Sequence, residues 1–303
     1  MRENLGTGGM LLPGQLIGAA ENAAYEKAVN RPLKSFLLAV TAGAFIAFAF
    51  VFYVTTQVGA ETMPWGVAKL VGGLVFSTGL ILVVLTGAEL FTSSTLTLTA
   101  RASGRITTWQ LLKNWGIVYL GNFVGATSVT AMIYLGGTWE QADGAWGAVV
   151  IETALKKVSH GFGQAVVLGI MCNLMVCIAI WISYAGKTVA DKVVALILPV
   201  ALFAAAGFEH SVANMFLIPL GIVIVAFAGE GFWTATGLDP SAFGDLTWAS
   251  FLTDNLLPVT IGNIVGGGVM IGLLYWLISN RIDSPATAMK KTQSGQETLT
   301  VRQ

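Results

Sequence analysis

The sequence predicts an all-α membrane protein of six transmembrane helices, arranged as a 3+3 inverted repeat with one broken helix in each half. Three observations carry that prediction. The 303 residues are 55% hydrophobic and only 11% charged, whereas a soluble domain carries about 25% charged residues. Glycine accounts for 36 of the 303 residues, well above the usual ~7%, and membrane helices use glycine more than soluble ones do. Two pairs of short strings recur in the two halves: GNFVG at 121–125 with GNIVG at 262–266, and Gly-x-Glu at 87–89 with Gly-x-Glu at 207–209.

The elements follow in chain order. Residues 1–35 form an N-terminal segment, and 1–30 lack the uninterrupted apolar core of a signal peptide, so no cleaved leader is expected. Uncharged runs long enough to cross a bilayer, roughly 18–25 residues, then occupy 36–60, 70–88, 115–138, 161–186 and 255–280. The second run continues past Glu89 to residue 100. The run 193–229 is apolar for 37 residues except for Glu209 and His210 at its middle. The span domain thus covers 36–281, and the polar stretch 282–303 reads as a disordered tail.

Charge decides whether 193–229 is one span or two. With six spans and the N-terminus inside, inside segments hold 13 Lys and Arg and outside segments hold three, Lys69, Lys156 and Lys157. Splitting 193–229 into two spans makes the division 9 to 7. The positive-inside rule therefore selects six spans with both termini in the cytoplasm. A straight helix of about 35 residues would measure ~52 Å against a hydrocarbon core of ~30 Å. Both long segments are read as discontinuous helices broken near Glu89 and Glu209, which is tolerated only where the break is buried in protein or lines a cavity. The loop 230–254 is acidic, without Lys or Arg, and reads as external.

Spans one to three match spans four to six, and an odd number per half forces the halves into opposite orientation. Interrupted segments at matching positions of an inverted repeat point to a solute path. The Gly-x-x-x-Gly strings by themselves say only that helices pack closely there.

Ionisable groups inside spans cost at least ~2.5–3.5 kcal/mol on insertion scales and default to function. Glu89 and Glu209 occupy equivalent places, and a structural role is expected of both, each carboxylate accepting hydrogen bonds from backbone N–H groups freed by the break. His210 has no counterpart, since Leu90 holds the matching position. At the break of a membrane helix a group that titrates near neutral pH reads as functional. Thr92, Asn173 and Asn263 are polar groups in or beside spans; the two asparagines either bond a solute or brace neighbouring helices. Lys156 and Lys157 either attract anions to an entrance or are a solvated pair. On composition alone Phe76, Leu80, Leu90, Val176 and Phe203 are ordinary packing residues.

Other classes find little support. Cys172 and Cys177 share one apolar run, which suits neither a disulfide framework nor a zinc site. Lys and Arg equal Asp and Glu at 16 each, so no nucleic-acid partner is suggested. No phosphate loop, catalytic triad, metal cluster or haem motif stands in the chain, so neither an enzyme nor a cofactor is expected. A neutral-solute channel of the aquaporin kind is weakened by the absence of paired Asn-Pro-Ala strings.

The stretch LTGAELFTS at 85–93 resembles the first signature of the formate–nitrite transporter family. GIMCNLMVCIA at 169–179 resembles the second, with Ile178 where Leu or Val is usual. GFEHSVANMF at 207–216 is similar to the family's histidine-bearing break, and RPLKSF at 31–36, RASGRIT at 101–107 and PVTIGNI at 258–264 fit as well. The likeness runs from about residue 12 to 281; the departures lie in 1–9 and 282–303.

The resemblance implies an aquaporin-like fold and a homopentamer with one pore in each subunit, in the bacterial inner membrane. It implies a channel for formate or a similar small monovalent anion, with nitrite and hydrosulfide as rival solutes. Carried over residue by residue, His210 would be the central pore residue, with Thr92 and Asn173 near it. Phe76, Leu80, Leu90, Val176 and Phe203 would form apolar constrictions, and Lys157 and Asn263 further pore or vestibule contacts. Residues 13–30 would be a cytoplasmic helix implicated in gating, and the loop around 90–92 a mobile one.

Overall fold

The computed structural model describes residues 10–279. The expected tail 282–303 and the segment 1–9 lie outside the described residues. The described chain is helical, without a strand.

The first half opens with α1 (Pro13–Val29) and continues through α2 (Pro32–Gln57) and α3 (Trp65–Thr86). A break follows, then α4 (Phe91–Ser94), a 3₁₀ turn at Thr95–Thr97 and α5 (Leu98–Ala102), and α6 (Thr108–Leu135) closes the half. The second half repeats this order with α7 (Ala145–Val158), α8 (Phe162–Ser183), α9 (Val189–Ala205), a second break and α10 (Ser211–Phe227). After α11 (Glu230–Thr236), the last span, α12, runs through residues 248–277 in alternating α and π turns. The wide turns, Phe251–Leu256 and Ile264–Leu273, flank Pro258, which has no N–H to give to the helix ladder.

The helices long and apolar enough to cross a membrane are α2, α3, α6, α8 and the run Pro240–Leu277. Helices α9 and α10, 17 residues each, are two arms joined through the break at 206–210. Helix α10 then bends by 112° into α11.

Several boundaries differ from the expectation. The third span begins at Thr108, not near 115, because the Thr107 hydroxyl accepts from the Gln110 N–H and starts the helix seven residues earlier. Counting only uncharged residues cut it short at Lys113, a side chain that can reach water from a helix end. The charge count places Lys156 and Lys157 in an outside segment, and the structure forms helix α7 there. Its buried positions Trp146, Val150, Ile151, Ala154 and Val158 form one face, so the segment is amphipathic and packs on α10 and α2.

The recurring glycines sit at the tightest crossings. A Cβ at Gly125 would overlap the Val40 carbonyl of α2, and one at Gly266 would overlap the Ile170 carbonyl of α8. The two crossings are counterparts, α2 on α6 and α8 on α12, so close packing is what these strings supply. Helices α3 and α9 pack against each other across the join of the halves.

Candidate functional site

Each break begins with a glycine in the left-handed region, Gly87 at φ 73° ending α3 and Gly207 at φ 74° following α9. A residue with a Cβ meets a steric penalty in that conformation. The backbone then runs extended through Leu90 and His210 before the next helix starts. Breaking a helix orphans backbone groups, and inside a membrane these need protein partners.

Two asparagines supply them. Asn122 Nδ2 donates to the carbonyls of Ala39 (2.8 Å) and Glu89 (2.9 Å), and its Oδ1 accepts from the Phe91 N–H (2.8 Å). Asn263 repeats the pattern: Nδ2 donates to Gly169 (2.8 Å) and Glu209 (3.0 Å), and Oδ1 accepts from the Ser211 N–H (3.0 Å). The remaining N–H groups follow the same symmetry, Glu89 donating to the Leu38 carbonyl and Glu209 to the Leu168 carbonyl.

The carboxylates do not cap the backbone as expected, because the asparagines and those carbonyls already serve it. Glu89 Oε1 accepts from Asn30 Nδ2 (2.9 Å) and Ser35 Oγ (3.2 Å). Glu209 Oε1 accepts from Lys157 Nζ (2.7 Å), while Oε2 accepts from Asn214 (2.7 Å) and Asn255 (3.2 Å). Lys27 on α1 is the counterpart of Lys157 on α7: its Nζ donates to Ser93 Oγ at 3.2 Å. Burial pushes the Lys27 ammonium below its ordinary pKa, and the Glu89 carboxylate pulls it back up. Asn114 and Asn255 donate to the carbonyls of Lys27 (3.1 Å) and Lys157 (2.9 Å), tying each lysine-bearing helix end to the frame.

His210 is 3% exposed and caps α10: its Nδ1 accepts from the Ala213 N–H at 3.2 Å. A nitrogen that accepts carries no proton, so the ring in this geometry is the neutral tautomer with the proton on Nε2. Nε2 lies 3.1 Å from Thr92 Oγ1 and can donate to it. The ring stacks on Phe203 with centroids 5.9 Å apart, and Phe203 meets Phe76 edge-on at 5.8 Å. The His210 ring borders a cavity of about 540 Å³, lined also by Phe76, Phe203 and the three lysines Lys69, Lys156 and Lys157.

The chain has known relatives. The model of the formate/nitrite transporter family matches residues 14–277. The chain belongs to that family. The formate channel FocA of Escherichia coli K12 is 56% identical over 269 residues, covering 89% of this chain and 94% of its own. FocA of Haemophilus influenzae is 53% identical over 263 residues, covering 87% and 93%. A solved structure described as a pentameric formate channel with formate bound superposes with a TM-score of 0.79 at 48% identity, covering 82% of this chain and 98% of its own.

Within this member of the formate/nitrite transporter family, the sequence-derived residues fall into groups. His210, Phe76, Phe203 and Lys157 line one cavity, and Thr92 meets His210 without lining it. Lys157 is not a solvated lysine: its side chain is 13% exposed and ion-paired to Glu209, which is 1% exposed. Leu80, Leu90 and Val176 are buried and do not line that cavity. Asn173 is spent on protein: Nδ2 donates to the Thr92 carbonyl (3.0 Å), Thr95 Oγ1 (3.1 Å) and the Asn263 carbonyl (2.6 Å). Asn263 likewise gives both amide ends to the break. Sequence reasoning missed Lys27, Asn30, Asn114, Asn122, Asn214, Asn255, Lys69 and His160. One signal was present, because the asparagine stands inside both recurring glycine strings.

Proposed function

We propose that the chain is a membrane channel for formate and similar small monovalent anions, working as a homopentamer with one pore in each subunit. It sits in the bacterial inner membrane with both termini in the cytoplasm, its span domain 36–281 preceded by a cytoplasmic segment 1–35. It conducts rather than catalyses. The names of the relatives, formate channels and a pentameric channel with formate bound, support the solute and the assembly. Two clusters support the orientation. Lys69, Lys156 and Lys157, the three basic residues counted outside, share one cavity. Lys27, Arg31 and Lys113, counted inside, line a different recess.

The observation that carries the reading is His210, in contact with Thr92, in the lining of a cavity that it shares with Phe76, Phe203 and three lysines. A small monocarboxylate has a pKa of roughly 3.5–4, so protonating it at pH 7 costs ~4 kcal/mol. Carrying it ionised through a dry apolar passage costs far more, in principle tens of kcal/mol without compensation. The lysines draw the anion in, and it crosses apolar constrictions as the neutral acid, formed by Phe76 and Phe203 at the cavity and by Leu80, Leu90 and Val176 outside its lining. The neutral tautomer refines the role of His210. Its Nε2–H exchanges Thr92 for a carboxylate oxygen of the solute, and Nδ1 becomes available for a second proton only if the bond to Ala213 opens. Asn173 holds the turn that presents Thr92. The family's description also names nitrite, a second monovalent anion of similar size that the same groups would accept.

The test is formate flux in liposomes for His210→Ala and His210→Phe over a pH series. Profiles that differ from the unsubstituted protein support the histidine role; superimposable profiles overturn it. Glycerol flux through the unsubstituted protein in place of formate flux would favour a neutral-solute channel.

A further inference from the structure

His160 stands in the turn between α7 and α8, with its side chain 24% exposed, and lines the same cavity as the three lysines. Its Nε2 lies 3.7 Å from Glu209 Oε1, the oxygen that accepts from Lys157. One imidazole therefore borders both the open vestibule and a buried carboxylate. The symmetry of the frame shows what else could occupy that place. His160 follows Lys157 by three residues as Asn30 follows Lys27, and Asn30 donates to Glu89 Oε1 at 2.9 Å. An asparagine holds its carboxylate at any pH. A histidine as a residue type changes charge between about pH 5 and 8. The two faces of a nearly symmetric molecule thus differ at this position in their ability to respond to acidity.

The charged and titratable groups around His160 come from every neighbouring element. Lys156 and Lys157 stand on α7, Lys69 on α3, Tyr53 on α2, and Glu209 and His210 at the break. Asp245 and Asp254 line the adjoining recess that shares Ser159.

We propose that His160 is the group through which this channel reads the acidity of the solution on its vestibule side. Protonated, it adds a cation to the vestibule and offers Glu209 Oε1 a second partner, which releases part of the hold on Lys157 and lets that ammonium engage an arriving anion. Neutral, it leaves Lys157 committed to Glu209. The proposal rests on the anion-channel reading and adds a sided pH response to it.

The test is uptake of labelled formate by spheroplasts carrying the full chain, with the internal pH clamped and the external pH stepped from 5.5 to 8. Both the unsubstituted protein and His160→Asn see the same change in neutral acid, so the ratio of their fluxes isolates the residue. The ratio is expected to fall from about threefold or more at pH 5.5 toward one at pH 8, as a vestibule cation is lost. For Asn30→His, the ratio of its flux to that of the unsubstituted protein is expected to vary with internal pH. A flux ratio independent of external pH overturns the proposal. Histidine ring nitrogen shifts give a second readout: the chain has two histidines, and the signal missing from His160→Asn is that of His160. Failure of the His160 ring to titrate between pH 5 and 8 also overturns it. Absence of formate flux in the unsubstituted protein would instead remove the channel reading, whatever the ring shifts show.

Discussion

Asn263→Ala tests the idea that asparagines make the breaks affordable inside a membrane. The side chain is fully buried and holds the Glu209 carbonyl, the Gly169 carbonyl and the Ser211 N–H. Gly169 lies within the continuous helix α8, so its carbonyl can keep a helical partner. The Glu209 carbonyl and the Ser211 N–H belong to the break itself and lose their partner. Each unpaired buried group costs ~1–3 kcal/mol, so the variant should lose about 2–6 kcal/mol. Thermal unfolding in detergent should register this as a fall of at least ~4 °C, and formate flux should drop because His210 adjoins the loosened residue. Asn263→Asp separates hydrogen bonding from volume. It keeps the shape and the acceptor for Ser211 but loses both donors and sets a carboxylate against two carbonyls, so it should be at least as damaging as alanine. If the aspartate variant unfolds at the native temperature, or alanine changes neither unfolding nor flux, the stitching argument fails. Asn122→Ala, the counterpart, should cost a similar amount of stability.

Two further outcomes follow from the same frame. Lys157→Met leaves the Glu209 carboxylate buried without its cation and should cost ~3–5 kcal/mol; Lys157→Met with Glu209→Gln should regain part of that in the same unfolding assay, and no regain would mean the ion pair is not the source of the loss. Gly125→Ala and Gly266→Ala each drive a methyl into a facing carbonyl and should cost ~1–3 kcal/mol, while Gly14→Ala, with open space around its Cβ position, should leave unfolding unchanged.

The sequence made the breaks legible for physical reasons that need no coordinates. A 37-residue apolar run with Glu209 and His210 at its centre exceeds a bilayer, and charge counts forbid reading it as two spans. The residues that hold the breaks were hidden because their partners come from distant segments. Nothing in 121–125 announces that Asn122 reaches back 83 residues to the Ala39 carbonyl and 33 to Glu89. Helix α7 was obscured differently. Its apolar face was present in the sequence, but Glu152, Lys156 and Lys157 made 145–158 look like a connecting loop. Once α7 is recognised as the counterpart of α1, the lysine pair and the asparagines behind it fall into register.

That register also separates construction from function. The matched residues build: Glu89 with Glu209, Asn122 with Asn263, Asn114 with Asn255, Lys27 with Lys157. The mismatched ones converge on one line. Leu90 is replaced by His210. Asn30 is replaced by His160. Leu38 and Leu168 accept equivalent N–H bonds from the two glutamates, and five residues beyond each stand Gly43 and Asn173. Gly43 lies against the Asn122 backbone, with no room for a Cβ, whereas Asn173 holds the carbonyl of Thr92, and Thr92 in turn meets His210. A symmetric frame treats its two faces alike. Each of these substitutions breaks that equivalence, and together they run from the vestibule through the imidazole of His210 to the hydroxyl beside it. The symmetric residues hold the two breaks, and the proposed function places the solute chemistry on the asymmetric ones.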